Sequence, residues 1–197
     1  MPENTWIWGI PLFGYLLGSF PTGVVLSRMR FGIDVREMGS GNIGATNITR
    51  NFGWLAGAFV LLMDFLKAWA PLKLMQDHLP GSEWVICATG VAVVLGHCFS
   101  IFLGFRGGKG VASSLGCLAS VMPFTALISA LTYVLGLSVT RISAIGSLMG
   151  LAVAVGHASF YEPVTAYRWM VWLVAAVVVM RHRGNLKRIA ADVTKRH

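Results

Sequence analysis

Charge is what this sequence has least of. Only 12% of its 197 residues are Asp, Glu, Lys or Arg, about half the share carried by an ordinary soluble domain. With 55% hydrophobic residues and a mean hydropathy of +0.68, that scarcity argues against a water-soluble globule. Acid is scarcer still: 8 Asp and Glu stand against 16 Lys and Arg, a net charge of +8. In a soluble protein this balance would suggest a nucleic-acid partner, whereas in a membrane chain it suggests basic loops on one face, with no nucleic acid involved. Cysteine is sparse as well. Cys87, Cys98 and Cys117 lie in or beside apolar segments with no CxxC and no Cys/His metal spacing, so buried free thiols are expected rather than a disulfide framework or metal site. No cofactor is implied. The basic leader of a signal peptide is also missing, since Glu3 precedes the first apolar run and Arg28 follows it; that run is expected to be a retained span. What the chain does contain is 23 Gly and seven Trp among long uncharged runs. That composition fits one polytopic membrane domain covering residues 1–197, with glycine allowing close helix approach and tryptophan at the interfaces.

The apolar runs set the expected architecture, an all-α integral membrane protein. The first covers Trp6 to Ser27 and is interrupted by Pro11 and Pro21, which a membrane helix tolerates when neighbours satisfy the freed carbonyls. The second runs from Phe52 to Leu74 and the third from Trp84 to Phe105. From Val111 to Val139 there are 29 residues without a charge, too many for one ordinary span and too few for two full ones. Pro123 divides them into a short helix, Val111 to Met122, and a fuller one, Pro123 to Val139. Ser143 to His157 and Tyr167 to Met180 complete seven transmembrane helical segments, one of them short. With the amino terminus outside, seven crossings bring the Arg28–Arg50 stretch, the RGGKG break at 106–110, the Arg141 turn and the carboxyl tail to one side. That side then holds 13 of the 16 basic residues, and the positive-inside rule makes it the cytoplasm. Six crossings would move Arg141 and the basic tail outside.

Three polar stretches on that side carry candidate chemistry. The first, MGSGNIGATNITR, offers Gly39, Gly41 and Gly44 for close backbone approach to an anion, with Ser40, Asn42, Thr46 and Asn47 as hydrogen-bonding side chains. A helix starting near Ala45 puts Thr46 and Arg50 on one face, where Arg50 can grip a phosphate; a plain Gly-rich connector is the alternative. The second, GFRGGKGV, surrounds Lys109 with Gly107, Gly108 and Gly110 at the start of the short helix. Free amides, a positive helix end and a lysine suit an anion, although a lysine answering lipid phosphates fits equally. It is not a Walker A loop, because Gly110 stands where Ser or Thr is required. The third, MRHRGNLKRI, places His182 and Asn185 among Arg181 and Arg183; basic residues after a span usually set topology, but His182 can also donate to an oxyanion or take a proton. Asp64 and Lys67, three residues apart inside the second span, are expected to pair, since each charge costs about 2.5–3.5 kcal/mol at the membrane centre. His97 is as easily a packed histidine as a ligand. The H-x4-E spacings His78/Glu83 and His157/Glu162 fall on the outer side and are expected to be coincidental.

Taken in order, SGNIGATNITR, GFRGGKGVAS and RHRGNLKRI, separated by these apolar runs, resemble the PlsY family of bacterial membrane glycerol-3-phosphate acyltransferases. The resemblance extends from Gly14 to Arg188. It implies a multi-pass enzyme of the bacterial inner membrane with its active site facing the cytoplasm. The implied reaction transfers a fatty acyl group from acyl phosphate to the 1-hydroxyl of glycerol 3-phosphate, giving lysophosphatidic acid and phosphate in phospholipid biosynthesis. Ser40, Arg50, Lys109, His182 and Asn185 would form the catalytic set. Gly41, Asn42, Gly44, Thr46, Asn47, Gly107, Gly108, Gly110 and Ser143 would line the substrates, with membrane lipids as the surroundings and neither metal nor cofactor. Two positions depart from the family pattern: Gly184 stands where an acidic residue is common, and Ser100 where proline is common. The first bears on any carboxylate general base. Because both substrates carry phosphate and acyl phosphate has a good leaving group, orientation and charge stabilisation matter more than a strong nucleophile. Direct attack is therefore expected, with Ser40 orienting substrate because no His/Asp partner for it is evident.

The rival reading is a membrane transporter of a phosphorylated solute, since broken helices also bind anions in carriers. Carrier sites lie near the bilayer midplane between repeats, and this chain shows polar clusters on one face without an internal repeat. A membrane scaffold would leave all three clusters without a purpose. The H-x4-D of acyl-CoA-dependent acyltransferases and the multi-Asp motif of CDP-alcohol phosphotransferases are both absent.

Overall fold

The computed structural model describes residue 7 and residues 9–194, and among these the chain is helical without strands. Among the described residues nine α-helices follow one another: α1 (Ile10–Ser19), α2 (Thr22–Phe31), α3 (Ala45–Phe52), α4 (Trp54–His78), α5 (Glu83–Cys98), α6 (Val111–Val121), α7 (Pro123–Thr140), α8 (Ser143–Tyr161) and α9 (Thr165–Thr194). Five segments are long and apolar enough to cross a membrane: 10–31, 54–78, 83–103, 123–140 and 143–161. α6 is a shorter apolar helix. At 30 residues α9 is the longest element, about 45 Å at 1.5 Å per residue. It therefore outlasts its apolar portion and carries His182 and Asn185 onward in the same helix. Trp6, the expected start of the first span, and Lys195 and Arg196 of the basic tail lie outside the described residues.

The breaks fall where local chemistry demands them. Pro11 sits in the first turn of α1, where its missing N–H costs nothing. Pro21 does interrupt the first span, ending α1 and starting α2. The carbonyls released there find partners: Ser100 Oγ donates to Ser19 O, and Lys67 Nζ donates to Phe20 O at 3.1 Å. Met122 separates α6 from α7, with Pro123 at the head of α7. The third run is shorter as a helix than its apolarity suggests. α5 stops at Cys98, and after a 3-10 turn at Ile101–Leu103 the chain doubles back through Gly104 and Phe105, both with positive φ. It doubles back so that Gly107 N and Gly108 N can bond Cys98 O and His97 O.

Packing follows membrane rules, with α1 against α5, α4 against α6, α7 against α8, and α9 against α5 and α8. The α1/α5 contact is backbone on backbone. A Cβ at Gly18 would strike the Val93 carbonyl, and one at Gly96 would strike the Tyr15 carbonyl; such close approach supplies the dispersion that lipid-solvated helices need. One apolar core runs through α4, α5, α6 and α9, and a smaller one (Val24, Val35, Ile43, Ile48, Val60) forms the floor beneath the first polar stretch. The outer surface displays large apolar side chains such as Leu12, Phe13, Leu62, Leu131 and Trp172. All three cysteines are free and buried.

Candidate active site

The first polar stretch is organised around one side chain. Asn47 is 3% exposed, and all of its polar atoms are committed to the loop. Its Oδ1 accepts from Ser40 N at 3.1 Å and from Asn51 Nδ2 at 3.1 Å, while its Nδ2 donates to the carbonyls of Val35, Met38 and Asn42. Asn42 Oδ1 accepts from Gly44 N, and Gly41 N bonds Met38 O. Asn47 and Asn42 therefore build the loop, and the amides of Ser40, Gly41 and Gly44 are spent within it. The side chains of Ser40, Thr46 and Arg50 remain exposed. α3 does begin at Ala45, burying Asn47 and Ile48 on one face and leaving Thr46 and Arg50 on another. Asp34, next to this loop, is held by Arg36 and Arg28 at 2.6 and 2.7 Å. The Arg36 hydrogen bond above all keeps its carboxyl well below the usual carboxylate range, so it is not free to act on substrate.

Ser143, far away in sequence, joins this face. Its Oγ lies 3.2 Å from Thr46 Oγ1 and 3.1 Å from Tyr133 OH, a chain of hydroxyls linking α3, α7 and α8. Tyr133 was not among the expected residues, because a tyrosine inside an apolar helix carries no local signal of function.

The second stretch differs from the expectation of free amides. Gly107 N and Gly108 N are already bonded to Cys98 O and His97 O at 3.1 and 2.9 Å. Their carbonyls are equally engaged, since Arg181 Nη2 donates to Gly107 O at 2.7 Å and Arg181 Nε to Gly108 O at 2.9 Å. What the two glycines contribute is space. A Cβ at Gly107 would enter the His97 carbonyl, and one at Gly108 would enter the His97 ring at Nε2. Gly110 caps α6 with φ 83°, a conformation glycine adopts without strain. Arg181 clasps the whole turn and also lies over the Phe99 ring at 5.2 Å. It is a second residue that motif reading passed over, because a basic residue after a span has the bland explanation of setting topology.

His182 is 1% exposed. Its Nδ1 lies 2.8 Å from Val178 O, and a carbonyl can only accept, so Nδ1 carries hydrogen and Nε2 holds the lone pair of the neutral ring. Burial pushes its pKa down from 6.5, Lys109 and Arg181 push it further, and the Val178 bond opposes them. Lys109 is pushed down too, by burial first and then by the positive charges of Arg188, Arg181 and Arg50. The charges that lower Lys109 are thus cations, contributed by α3 and α9. None of the four cations makes an ion pair among the described residues. Asn185 is half-buried, one turn beyond His182. Gly184 is exposed with open space where a Cβ would stand, so an acidic side chain there would point away from the buried His182.

The remaining pairs sort as follows. Asp64 and Lys67 do pair, at 2.8 Å, with His97 joining them. His157 and Glu162 are not partners: His157 Nδ1 lies 2.9 Å from Thr125 Oγ1, and Glu162 Oε1 accepts from Val164 N ahead of α9. His78 and Glu83 fall on separate helices, at the end of α4 and the start of α5. Among the described residues no cluster of His, Cys, Asp and Glu could hold a metal ion.

The glycerol-3-phosphate acyltransferase family matches residues 8–192 of this chain. A glycerol-3-phosphate acyltransferase of Myxococcus xanthus is 45% identical over 185 residues, 94% of this chain and 96% of that protein. One from Aquifex aeolicus is 38% identical, covering 90% and 92%. Two crystal structures of PlsY, an integral membrane glycerol 3-phosphate acyltransferase, share the fold. The glycerol 3-phosphate form superposes with a TM-score of 0.89 at 36% identity, over 93% of this chain and 91% of that one. The lysophosphatidic acid form gives 0.87 at 35%, with the same coverage. A multi-pass membrane protein, the chain belongs to the glycerol-3-phosphate acyltransferase family, PlsY type.

Proposed function

We propose that the protein transfers a fatty acyl group from acyl phosphate to the 1-hydroxyl of glycerol 3-phosphate, releasing lysophosphatidic acid and phosphate. The observation that carries this reading is the convergence of Arg50, Lys109, Arg181 and Arg188 without a countercharge among the described residues. Such a group of cations is costly to assemble and calls for anionic ligands. Two phosphate-bearing substrates meeting there account for it.

In this reading Lys109 and Arg50 hold phosphate, while Ser40, Thr46 and Ser143 orient the acceptor. His182 receives the hydroxyl proton at Nε2, the ring atom left with a lone pair. The glycerol oxygen bonds to the acyl carbon, the carbon–oxygen bond to phosphate breaks with its electron pair leaving on phosphate, and the proton passes from His182 to that phosphate. Lys109 and Asn185 offer donors to the transient oxyanion, an effect worth about 3–4 kcal/mol for one well-placed donor. Asn42, Asn47 and the glycines at 107, 108 and 110 shape the site from behind, and Gly41 and Gly44 close its loop. The enzyme lies in the bacterial inner membrane with seven crossings, α6 and α9 joining the five long spans, and the site faces the cytoplasm. Lys109→Ala and His182→Ala are expected to lower turnover by at least about a hundredfold while eluting as folded protein in detergent. Normal rates in both would remove the assignment.

A further inference from the structure

Beneath the Gly107–Lys109 turn lies a second polar group that the reaction outlined above does not use. Asp64 and Lys67, on α4, have side chains only 4% and 8% exposed. A simple ion pair would need only the two of them, yet more groups converge. Lys67 Nζ lies 2.8 Å from Asp64 Oδ1, 3.1 Å from Phe20 O and 3.1 Å from His97 Nδ1. Three acceptors consume the three ammonium hydrogens. His97 Nδ1 is therefore an acceptor, and the neutral ring carries its hydrogen on Nε2. Asp64 Oδ1 also receives Thr22 Oγ1 at 3.1 Å, and the Asp64 carbonyl receives Ser113 Oγ at 3.0 Å. The group thus fastens α2, α4, α5 and α6 together.

Its far edge is the His97 ring, which fills the space a side chain at position 108 would need. The carbonyl of the same histidine holds Gly108 N, and Arg181 closes over the turn from the other side. We propose that Asp64, Lys67 and His97 are positioning residues for acyl transfer: they fix the His97 ring as the floor under Gly108 and thereby set where Lys109 stands against the substrate phosphate. The proposal rests on the functional reading above. A purely structural ion pair would govern only how much protein folds, whereas a floor governs the turnover of each folded molecule.

The test is a size-swap in purified enzyme, with kcat and KM for glycerol 3-phosphate referred to the folded, monodisperse fraction. Gly108→Ala is expected to lower kcat/KM by about a hundredfold, the scale of an ångström-sized misplacement at a reacting centre. His97→Ala is expected to lower it about tenfold, and the double variant to recover at least about tenfold over Gly108→Ala, because the added methyl enters the space the ring has left. Losses that simply multiply would overturn the proposal. A second arm removes both buried charges together in Asp64→Asn with Lys67→Gln, which leaves no unpaired ion. The folded protein is expected to show kcat/KM reduced about tenfold with a raised KM, and unchanged constants would equally overturn it. A wild-type enzyme inactive with acyl phosphate and glycerol 3-phosphate would instead sink the functional reading. An active wild type with multiplicative losses sinks this inference alone.

Discussion

At the residue scale, the protonation of His182 separates roles that a motif cannot. Hydrogen on Nδ1, fixed by Val178 O, leaves a neutral ring able to accept at Nε2. Its pKa is depressed, so the active neutral form is present above that value and is lost as pH falls through it. The acid limb of kcat/KM is therefore expected below 6.5, checked by a pH profile of phosphate release; a limb above 6.5 would contradict the assignment. Legibility at this scale was uneven. Lys109, Arg50 and His182 stood out because each is a polar group inside a Gly-rich or boundary motif, and the structure gathers them. Asn47 looked like a ligand, since a carboxamide in a Gly/Ser loop suits an anion as well as it suits the backbone. Only the fold reveals that its hydrogens go to the carbonyls of residues 35, 38 and 42. The amides of Gly107 and Gly108 are bonded rather than free for a related reason. Their partners, His97 O and Cys98 O, lie across a reversal of the chain that local sequence does not announce.

At the element scale, prolines and small residues gave most of the boundaries. Pro123 parts α6 from α7, and α3 and α8 start at Ala45 and Ser143. The end of α5 was less visible, because Phe99 to Phe105 is apolar enough to continue a span, yet the helix stops at Cys98 and the positive φ of Gly104 and Phe105 then turns the chain back. Ser100 is instructive here. Its φ of −64° is one that proline would also adopt, and its hydroxyl donates to the Ser19 carbonyl at the break of the first span. Ser100→Ala would strand a buried acceptor and is expected to cost about 1–3 kcal/mol, seen as a lower thermal midpoint in detergent. An unchanged midpoint would mean that another donor serves Ser19 O.

At the scale of the whole molecule, the seven crossings proposed above would bring α3, the Gly107–Gly110 turn and the far end of α9 to one membrane face. Six would send Arg141 and the end of α9 to the other side. The three native cysteines are buried, so single introduced cysteines report cleanly. Arg141→Cys is expected to react with a membrane-impermeant maleimide only in inside-out vesicles, and His78→Cys only in right-side-out ones. Both positions are exposed, and labelling of the two from one side would refute the topology. The central claim, however, is chemical: the cations gathered around Lys109 serve a transfer between two phosphate-bearing substrates. The most direct measurement is phosphate and lysophosphatidic acid formation by purified protein in detergent, with glycerol 3-phosphate and either acyl phosphate or acyl-CoA as donor. Equimolar phosphate and lysophosphatidic acid from acyl phosphate, with none from acyl-CoA, is the expected result; product from acyl-CoA alone, or from neither donor, would contradict it.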